Sequence, residues 1–455
     1  MAAADFDVIV IGAGPAGETA AGVLAEGGRH VAIVEADLVG GECAYYACMP
    51  SKALLRPSAV LAEAARVPGA AQAVTGALDV EATLRRRDEV IHGLADTGQL
   101  PWLADRGITL LRGHARLDGE RAVTVDGLRH AARDAVVVAV GSGAVVPDLP
   151  GLREAEPWTN REVTTAHEPP GSMIVLGGGP VGVEMAQAYR SFGVRVTLIE
   201  ALERLLANEE PFAGAELAGA LRDGGVDVRT QTRALSVSRA GRELAVALDD
   251  GDTVVAERIL VAVGRRPHTD DLGLETVGLE PGHPIAVDDH MRVARQPWLY
   301  AVGDVNGRAL LTHAGKRQAR VAAHTIAGDE DVYDERALPR VVFTEPQVAA
   351  VGMTLAAALE CGLDARAYDT PTSAVAGASF VGRNAPGTSR IVVDEARGVL
   401  VGATFTGVDV AEWLHAATIA IVGAVPVERL WDAVPAFPTR SEVWLKLLVE
   451  RDHSR

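Results

Sequence analysis

The strongest constraint on this chain is a glycine-rich pattern that occurs twice. Gly12-Ala13-Gly14-Pro15-Ala16-Gly17 follows the apolar run 7–11 and opens the alanine-rich stretch 16–25. Gly177-Gly178-Gly179-Pro180-Val181-Gly182 follows the apolar run 173–176 and opens the stretch 181–191. A short apolar run that ends in glycine reads as a buried parallel strand, and the stretch after it as a helix. The next apolar runs, 31–34 and 195–199, lead into the acids Glu35 and Glu200, and the first glycine precedes its acid by the same interval in both copies. The roles of such glycines are distinct: the first permits the tight turn, the second lets a pyrophosphate approach the backbone, and the third lets helix and strand pack closely. The helix N-terminus then offers N–H groups to the phosphates, and the acid can accept from a ribose hydroxyl. Two copies predict two domains of like design rather than a solenoid. A carboxylate at Glu200 repels a 2′-phosphate, so the second site favours NADH over NADPH, although Arg195 and Arg204 lie nearby in sequence.

Between the repeats lie a helical stretch, 60–103, a meander over 107–125 and a strand over 135–140, and Pro147, Pro150 and Gly151 mark a boundary. Further strands are expected at 259–264 and 298–304. Beyond Pro339 the pattern changes to strands at 341–343, 391–393 and 399–406, followed by helices at 410–421 and 442–450, which predicts a separate C-terminal α+β domain. At 455 residues the chain needs more than one domain. The net charge of −18 argues against a nucleic-acid partner. No apolar run is long enough to span a bilayer, and the first residues lack a signal-peptide pattern, so a cytoplasmic location is expected.

Three cysteines cannot build a disulfide framework. Cys43 and Cys48 are five positions apart, which on a continuous helix separates their Cα atoms by roughly 8.7 Å, more than the ~7 Å a disulfide tolerates. If they are bridged, Cys43 lies in a loop or a distorted first turn, supplied by Gly40-Gly41, and the helix begins near Cys48, where its dipole favours a thiolate. The other reading is two packed thiols that never bridge. A bridge in a cytosolic protein is usually catalytic, which favours the first. Cys361 reads as a plain packed thiol, and no metal site is expected.

The segment Gly40-Gly41-x-Cys43-x4-Cys48-x-Pro50-Ser51-Lys52 resembles the redox motif of the pyridine nucleotide-disulfide oxidoreductases, the family of dihydrolipoamide dehydrogenase, glutathione reductase and mercuric reductase. The resemblance runs through Val140-Gly141-Ser142, the second glycine turn, Gly264-Arg265-Arg266-Pro267, Tyr300 to Val305, Thr312-His313-Ala314 and the run 341–352. It implies an α/β chain with two Rossmann-like domains, for FAD and NAD(P)H, and a C-terminal α+β dimerisation domain. The implied boundaries are 1–148 (first part of the FAD domain), 149–270 (NAD(P)), 271–335 (completing the FAD site) and 336–455 (dimerisation). By the same resemblance Cys48 would lie against the flavin as a charge-transfer thiolate, and Cys43 would be the interchange thiol that meets the substrate. Lys52 would reach toward flavin N5 and pair with Glu184, and Asp304 would hold the ribityl chain. Gly12, Gly14, Gly17, Glu35, Gly41, Ala115, Gly141 and His313 would complete the FAD site. Gly177, Gly179, Gly182, Glu200 and Gly264 would line the NAD(P)H site. The chain would be a homodimer with its active site shared between subunits, acting on a small molecule and neither on nucleic acid nor at a membrane.

The chain departs from that pattern at one chemically decisive place. The family's C-terminal acid–base is a histidine in His-Pro-Thr-x-x-Glu; here the segment is Phe437-Pro438-Thr439-Arg440-Ser441-Glu442. Phenylalanine transfers no proton, and its ring dries the site and disfavours a bare Cys43 thiolate. The Phe437–Pro438 bond is expected to be cis. Tyr45 and Tyr46, between the cysteines, either pack or serve as weak replacement acids. The leading expectation is an NAD(P)H-dependent reductase of a disulfide or related electrophile. The alternatives are a reductive C–S cleaving or carboxylating enzyme resembling 2-ketopropyl-coenzyme M oxidoreductase/carboxylase, and a flavin quinone reductase with auxiliary cysteines.

Overall fold

The structure is a computed structural model that describes residues 5–241 and 243–454. It divides into two compact units. One comprises residues 1–50, 85–145 and 264–335, and the other residues 51–84, 146–263 and 336–455.

The first unit is built on a mainly parallel sheet in the order Arg292–Val293, Gln296–Ala301, Leu128–Val138, Phe6–Ile11, Val31–Glu35, Thr109–Arg112. The central strand carries Val8, Ile9 and Val10, all fully buried, and pairs in parallel with Val31–Glu35 on one side and Leu128–Val138 on the other. Burial on both faces is why this segment is continuously apolar rather than alternating. The helix Pro15–Glu26 follows the first strand, with proline in its first turn, where no N–H is missed. It crosses the helix Thr312–Ala327 at small residues, where a Cβ built on Gly315 would lie 3.4 Å from the Ala16 methyl. Ala115–Leu117 and Ala122–Val125 form the antiparallel meander feeding Leu128–Val138.

The second unit repeats the plan. A four-stranded parallel sheet has the order Asp227–Arg229, Arg195–Ile199, Ser172–Leu176, Arg258–Val261, and the helix Pro180–Ser191 follows its first strand. Leu54 and Leu55 join Met173, Val175, Val183 and Leu198 in its core. The same unit holds a five-stranded antiparallel sheet in the order Pro339–Val342, Gln347–Gly352, Val399–Gly407, Thr388–Asp394, Ala365–Pro371, covered by the helices Leu414–Val422 and Val443–His453.

The expected elements are present with shifted ends. The helical stretch 60–103 is several pieces, Cys48–Arg66, Val80–Val90 and Leu100–Asp105 with short 3-10 turns between, because Pro68-Gly69, Gly76 and Gly93 interrupt it. The strand expected at 298–304 stops at Ala301 and gives way to a 3-10 turn, Gly303–Asn306. Among the described residues no helix is long and apolar enough to cross a membrane.

Candidate active site

Both glycine turns have the geometry that a dinucleotide requires. Gly12 has φ +100°, and a Cβ there would lie 2.5 Å from the Ala139 carbonyl oxygen; a Cβ on Gly17 would lie 1.8 Å from the Gly12 oxygen. Gly14 is different: a Cβ there would meet nothing closer than the Gly41 Cα at 3.9 Å. The first and third glycines are thus demanded by packing, whereas the second leaves free space at the helix N-terminus, where a pyrophosphate approaches. The second turn repeats this. A Cβ on Gly177 or Gly182 would lie 2.4 Å from the Ala262 oxygen or 1.9 Å from the Gly177 oxygen, and one on Gly179 meets nothing within 4 Å. The acids clasp their loops alike. Glu35 accepts from the Ala13 and Asp37 amides at 2.7 and 2.8 Å, and Glu200 from the Gly178 and Leu202 amides at 2.6 and 2.7 Å. These residues fit FAD at the first turn and a nicotinamide dinucleotide at the second. Arg204, the nearest candidate for a 2′-phosphate in sequence, donates instead to the Ala207 carbonyl at 2.9 Å.

The cysteine pair lies in the first unit. Gly40 and Gly41 have φ +114° and +62°, conformations that suit glycine. They turn the chain into a single helical turn, Gly41–Tyr45, which carries Cys43, and the long helix starts afresh at Cys48. The break avoids the separation that a continuous helix would impose. Thr312 ties the pair together: its hydroxyl donates to Cys43 Sγ at 3.2 Å and lies 3.4 Å from Cys48 Sγ. The hydrogen bond with Cys48, burial and the charge of Cys48 all push the Cys43 thiol well above its ordinary range, against the opposing pull of Thr312 and Lys316.

A polar chain braces this turn. Arg265 donates to Glu42 Oε2 at 2.7 Å and to the Ser142 hydroxyl at 2.8 Å, and Ser142 donates to Asp304 Oδ2 at 2.5 Å. The side chain next to Cys43 is thus linked to the carboxylate expected to hold the ribityl chain. Gly141, with φ +71°, immediately precedes Ser142 and has open space about its Cα, as has Gly264. Ala115 begins its strand buried, and His313 is exposed in the first turn of its helix. Tyr45 is 1% exposed and donates its hydroxyl to the Val39 carbonyl at 3.1 Å, the geometry of a packed tyrosine. Tyr46 is half-buried with its ring 6.4 Å from that of Tyr45.

The second unit holds the remaining residues. Lys52 Nζ is 2.8 and 3.1 Å from the two Glu184 oxygens, and the Phe343 amide donates to Glu184 at 2.9 Å. The Phe437–Pro438 bond is cis, as expected, and Phe437 is 79% exposed. Glu442 Oε1 accepts from the Thr439 amide at 2.8 Å and the Gly377 amide at 3.1 Å. Its carboxylate caps its own turn and fastens it to the segment Ala376–Phe380.

Sequence reasoning named the cysteines, Lys52, Glu184 and Asp304, but missed the bridging hydroxyl of Thr312 and the Glu42–Arg265–Ser142 chain. A glutamate directly before Cys43 was the available signal for the latter.

Comparison with known proteins agrees along the whole chain. Residues 6–324 match the pyridine nucleotide-disulphide oxidoreductase family, and residues 338–448 match its dimerisation domain. Dihydrolipoyl dehydrogenase from Thermus scotoductus is 34% identical over 446 residues, covering 96% of this chain and 95% of that protein. Mercuric reductase from Staphylococcus aureus is 27% identical over 445 residues, covering 96% and 81%. Among solved structures, the HOCl-induced flavoprotein disulfide reductase RclA from Escherichia coli is 27% identical with a TM-score of 0.85, covering 97% of this chain and 99% of that one.

Proposed function

The chain belongs to the pyridine nucleotide-disulphide oxidoreductase family, as an FAD- and NAD(P)H-dependent oxidoreductase with its dimerisation domain, and on that premise we propose that it is an NADH-dependent reductase of a small disulfide or soft electrophile, acting through Cys43. The observation that carries this reading is the pair of sulfurs within hydrogen-bond reach of one Thr312 hydroxyl. FAD would supply the hydride chemistry between NADH and the sulfurs. Gly12, Gly14, Gly17, Glu35, Gly41, Ala115, Gly141, Asp304 and His313 would hold it, and Gly177, Gly179, Gly182, Glu200 and Gly264 would hold the nicotinamide dinucleotide. The preference for NADH rests on Glu200 and on the engagement of Arg204 by the Ala207 carbonyl. Cys48, at the helix start, would receive the electrons, and Cys43 would meet the acceptor. Lys52, held by Glu184, would place its ammonium near the reacting centre.

The family works as a homodimer, and exposed Phe437 would then face the partner's Cys43. Cytoplasm, where thiols stay reduced, is the compartment such chemistry suits. Anaerobic titration of the yellow holoprotein with NADH tests the reading: long-wavelength charge-transfer absorbance should develop and should collapse when a disulfide acceptor is added. Quinone reduction that survives Cys43→Ser, with no such absorbance in the parent, would refute it. A second reading, C–S cleavage or carboxylation, rests on Phe437 and on the engagement of Glu442 by backbone amides. If excluding protons is the purpose of Phe437, Phe437→His lowers activity; in a plain disulfide reductase it raises it.

A further inference from the structure

Thiol–disulfide exchange at Cys43 needs a group that moves a proton, and Phe437 moves none. The first unit places a different group in direct contact with the reacting atoms. The Thr312 hydroxyl donates to Cys43 Sγ at 3.2 Å and lies 3.4 Å from Cys48 Sγ. A hydroxyl has one proton to give and two lone pairs to accept with, so it can donate to one sulfur while accepting from the other. Thr312 is the first residue of the helix Thr312–Ala327, which fixes its position against the turn that carries Cys43 and the helix start that carries Cys48. Lys316 stands one turn further along the same helix face, and its ammonium favours negative charge at Cys43. The polar side chains beside Cys43 in sequence are engaged elsewhere. Glu42 accepts from Arg265 at 2.7 Å, and Tyr45 donates to the Val39 carbonyl at 3.1 Å.

We propose that the Thr312 hydroxyl carries a proton between the two sulfurs, so that the cysteine pair serves as its own acid and base in place of the missing histidine. This rests on the disulfide-exchange reading above. Opening the bridge with the hydride equivalent of NADH leaves two sulfurs and one proton, as a Cys43 thiol and a Cys48 thiolate. The hydroxyl takes the Cys43 proton as it gives its own to Cys48, so the net change is one proton moved from Cys43 to Cys48. The hydroxyl then donates to the sulfur that has gained the charge, a bond stronger than one to a neutral thiol. The Cys43 thiolate attacks one sulfur of RS–SR′. The acceptor S–S bond breaks, and R′S⁻ leaves and takes one proton from solvent. Cys48 then attacks the Cys43 sulfur of the mixed disulfide, the Cys43–Cys48 bridge re-forms, and the departing RS⁻ takes the proton that Cys48 gives up. The sum is NADH + H⁺ + RSSR′ → NAD⁺ + RSH + R′SH.

The test is the anaerobic discharge of the NADH-reduced holoprotein by a reactive aromatic disulfide, dithiobis(nitrobenzoic acid), followed by stopped flow as loss of the charge-transfer band near neutral pH. Thr312→Val keeps the branched shape and removes the hydroxyl; it should still form the band, because opening the bridge needs no transfer between the sulfurs. Its discharge should slow by about a hundredfold, the low end of a general acid–base contribution. Thr312→Ser, which keeps the hydroxyl, should discharge at a rate close to the parent's. A Thr312→Val protein that discharges as fast as the parent, or that forms no band, overturns the proposal, and so does a Thr312→Ser protein as slow as Thr312→Val. The parent separates the two failures: if its band forms with NADH and the disulfide discharges it, only the role of Thr312 is wrong, whereas a parent that forms no band, or whose band outlasts the disulfide, overturns the exchange reading itself.

Discussion

Lys52→Met should destabilise the second unit by about 3 kcal/mol. Glu184 is 4% exposed at its side chain and accepts three contacts from two donors, two from Lys52 Nζ at 2.8 and 3.1 Å and one from the Phe343 amide at 2.9 Å. Methionine replaces the apolar stem of lysine but removes both ammonium contacts, leaving a buried carboxylate with one backbone donor. Removing one partner of a buried pair costs ~3–5 kcal/mol. Lys52 is 36% exposed, so water already screens part of the interaction, and the lower end applies. Replacing both residues by apolar ones, Lys52→Met with Glu184→Leu, removes the stranded charge and should recover much of the loss, because isolated buried charge rather than missing attraction is the dominant cost. The assay is a double-mutant cycle from urea denaturation of the holoprotein followed by circular dichroism at fixed protein concentration, since an oligomer's stability depends on concentration. A coupling below about 0.5 kcal/mol would mean that the pair is independent, and the argument from burial would fail.

The glycine geometry separates folding from binding. Gly17→Ala places a methyl 1.8 Å from the Gly12 oxygen and should give no folded yellow protein, whereas Gly14→Ala should fold with normal circular dichroism but weakened FAD retention on gel filtration. Glu18 gives a stability slope with a definite sign: its folded carboxyl sits at about 7 against an ordinary 4.5, so between those values the folded state binds the extra proton. Stability is full below the unfolded value and falls as pH rises through about 7, so Glu18→Gln should melt progressively higher than the parent from pH 5 to pH 7.5; a constant difference would contradict the burial of that carboxyl.

The parts of this protein legible in its sequence are those written in adjacent residues. Gly12 and Gly177 declare their turns because only glycine reaches φ near +100° without strain, and apolar runs declare strands buried on both faces. The spacing of Cys43 and Cys48 allowed a bridge only if the helix broke between them, and the break after Tyr45 is present. What only the tertiary structure decided joins distant segments. Thr312 reaches Cys43 across 269 positions of sequence, and Arg265 reaches Glu42 across 223. Glu442, kept from the family pattern, spends one carboxylate oxygen on the Gly377 amide. Glu18 is an ordinary first-turn acid in the sequence, and the burial of its Oε1 comes only with the packed chain. Backbone conformation follows from a residue's own stereochemistry and near neighbours, whereas desolvation and hydrogen-bond partnership depend on which surfaces meet, and that is settled by packing of the whole chain.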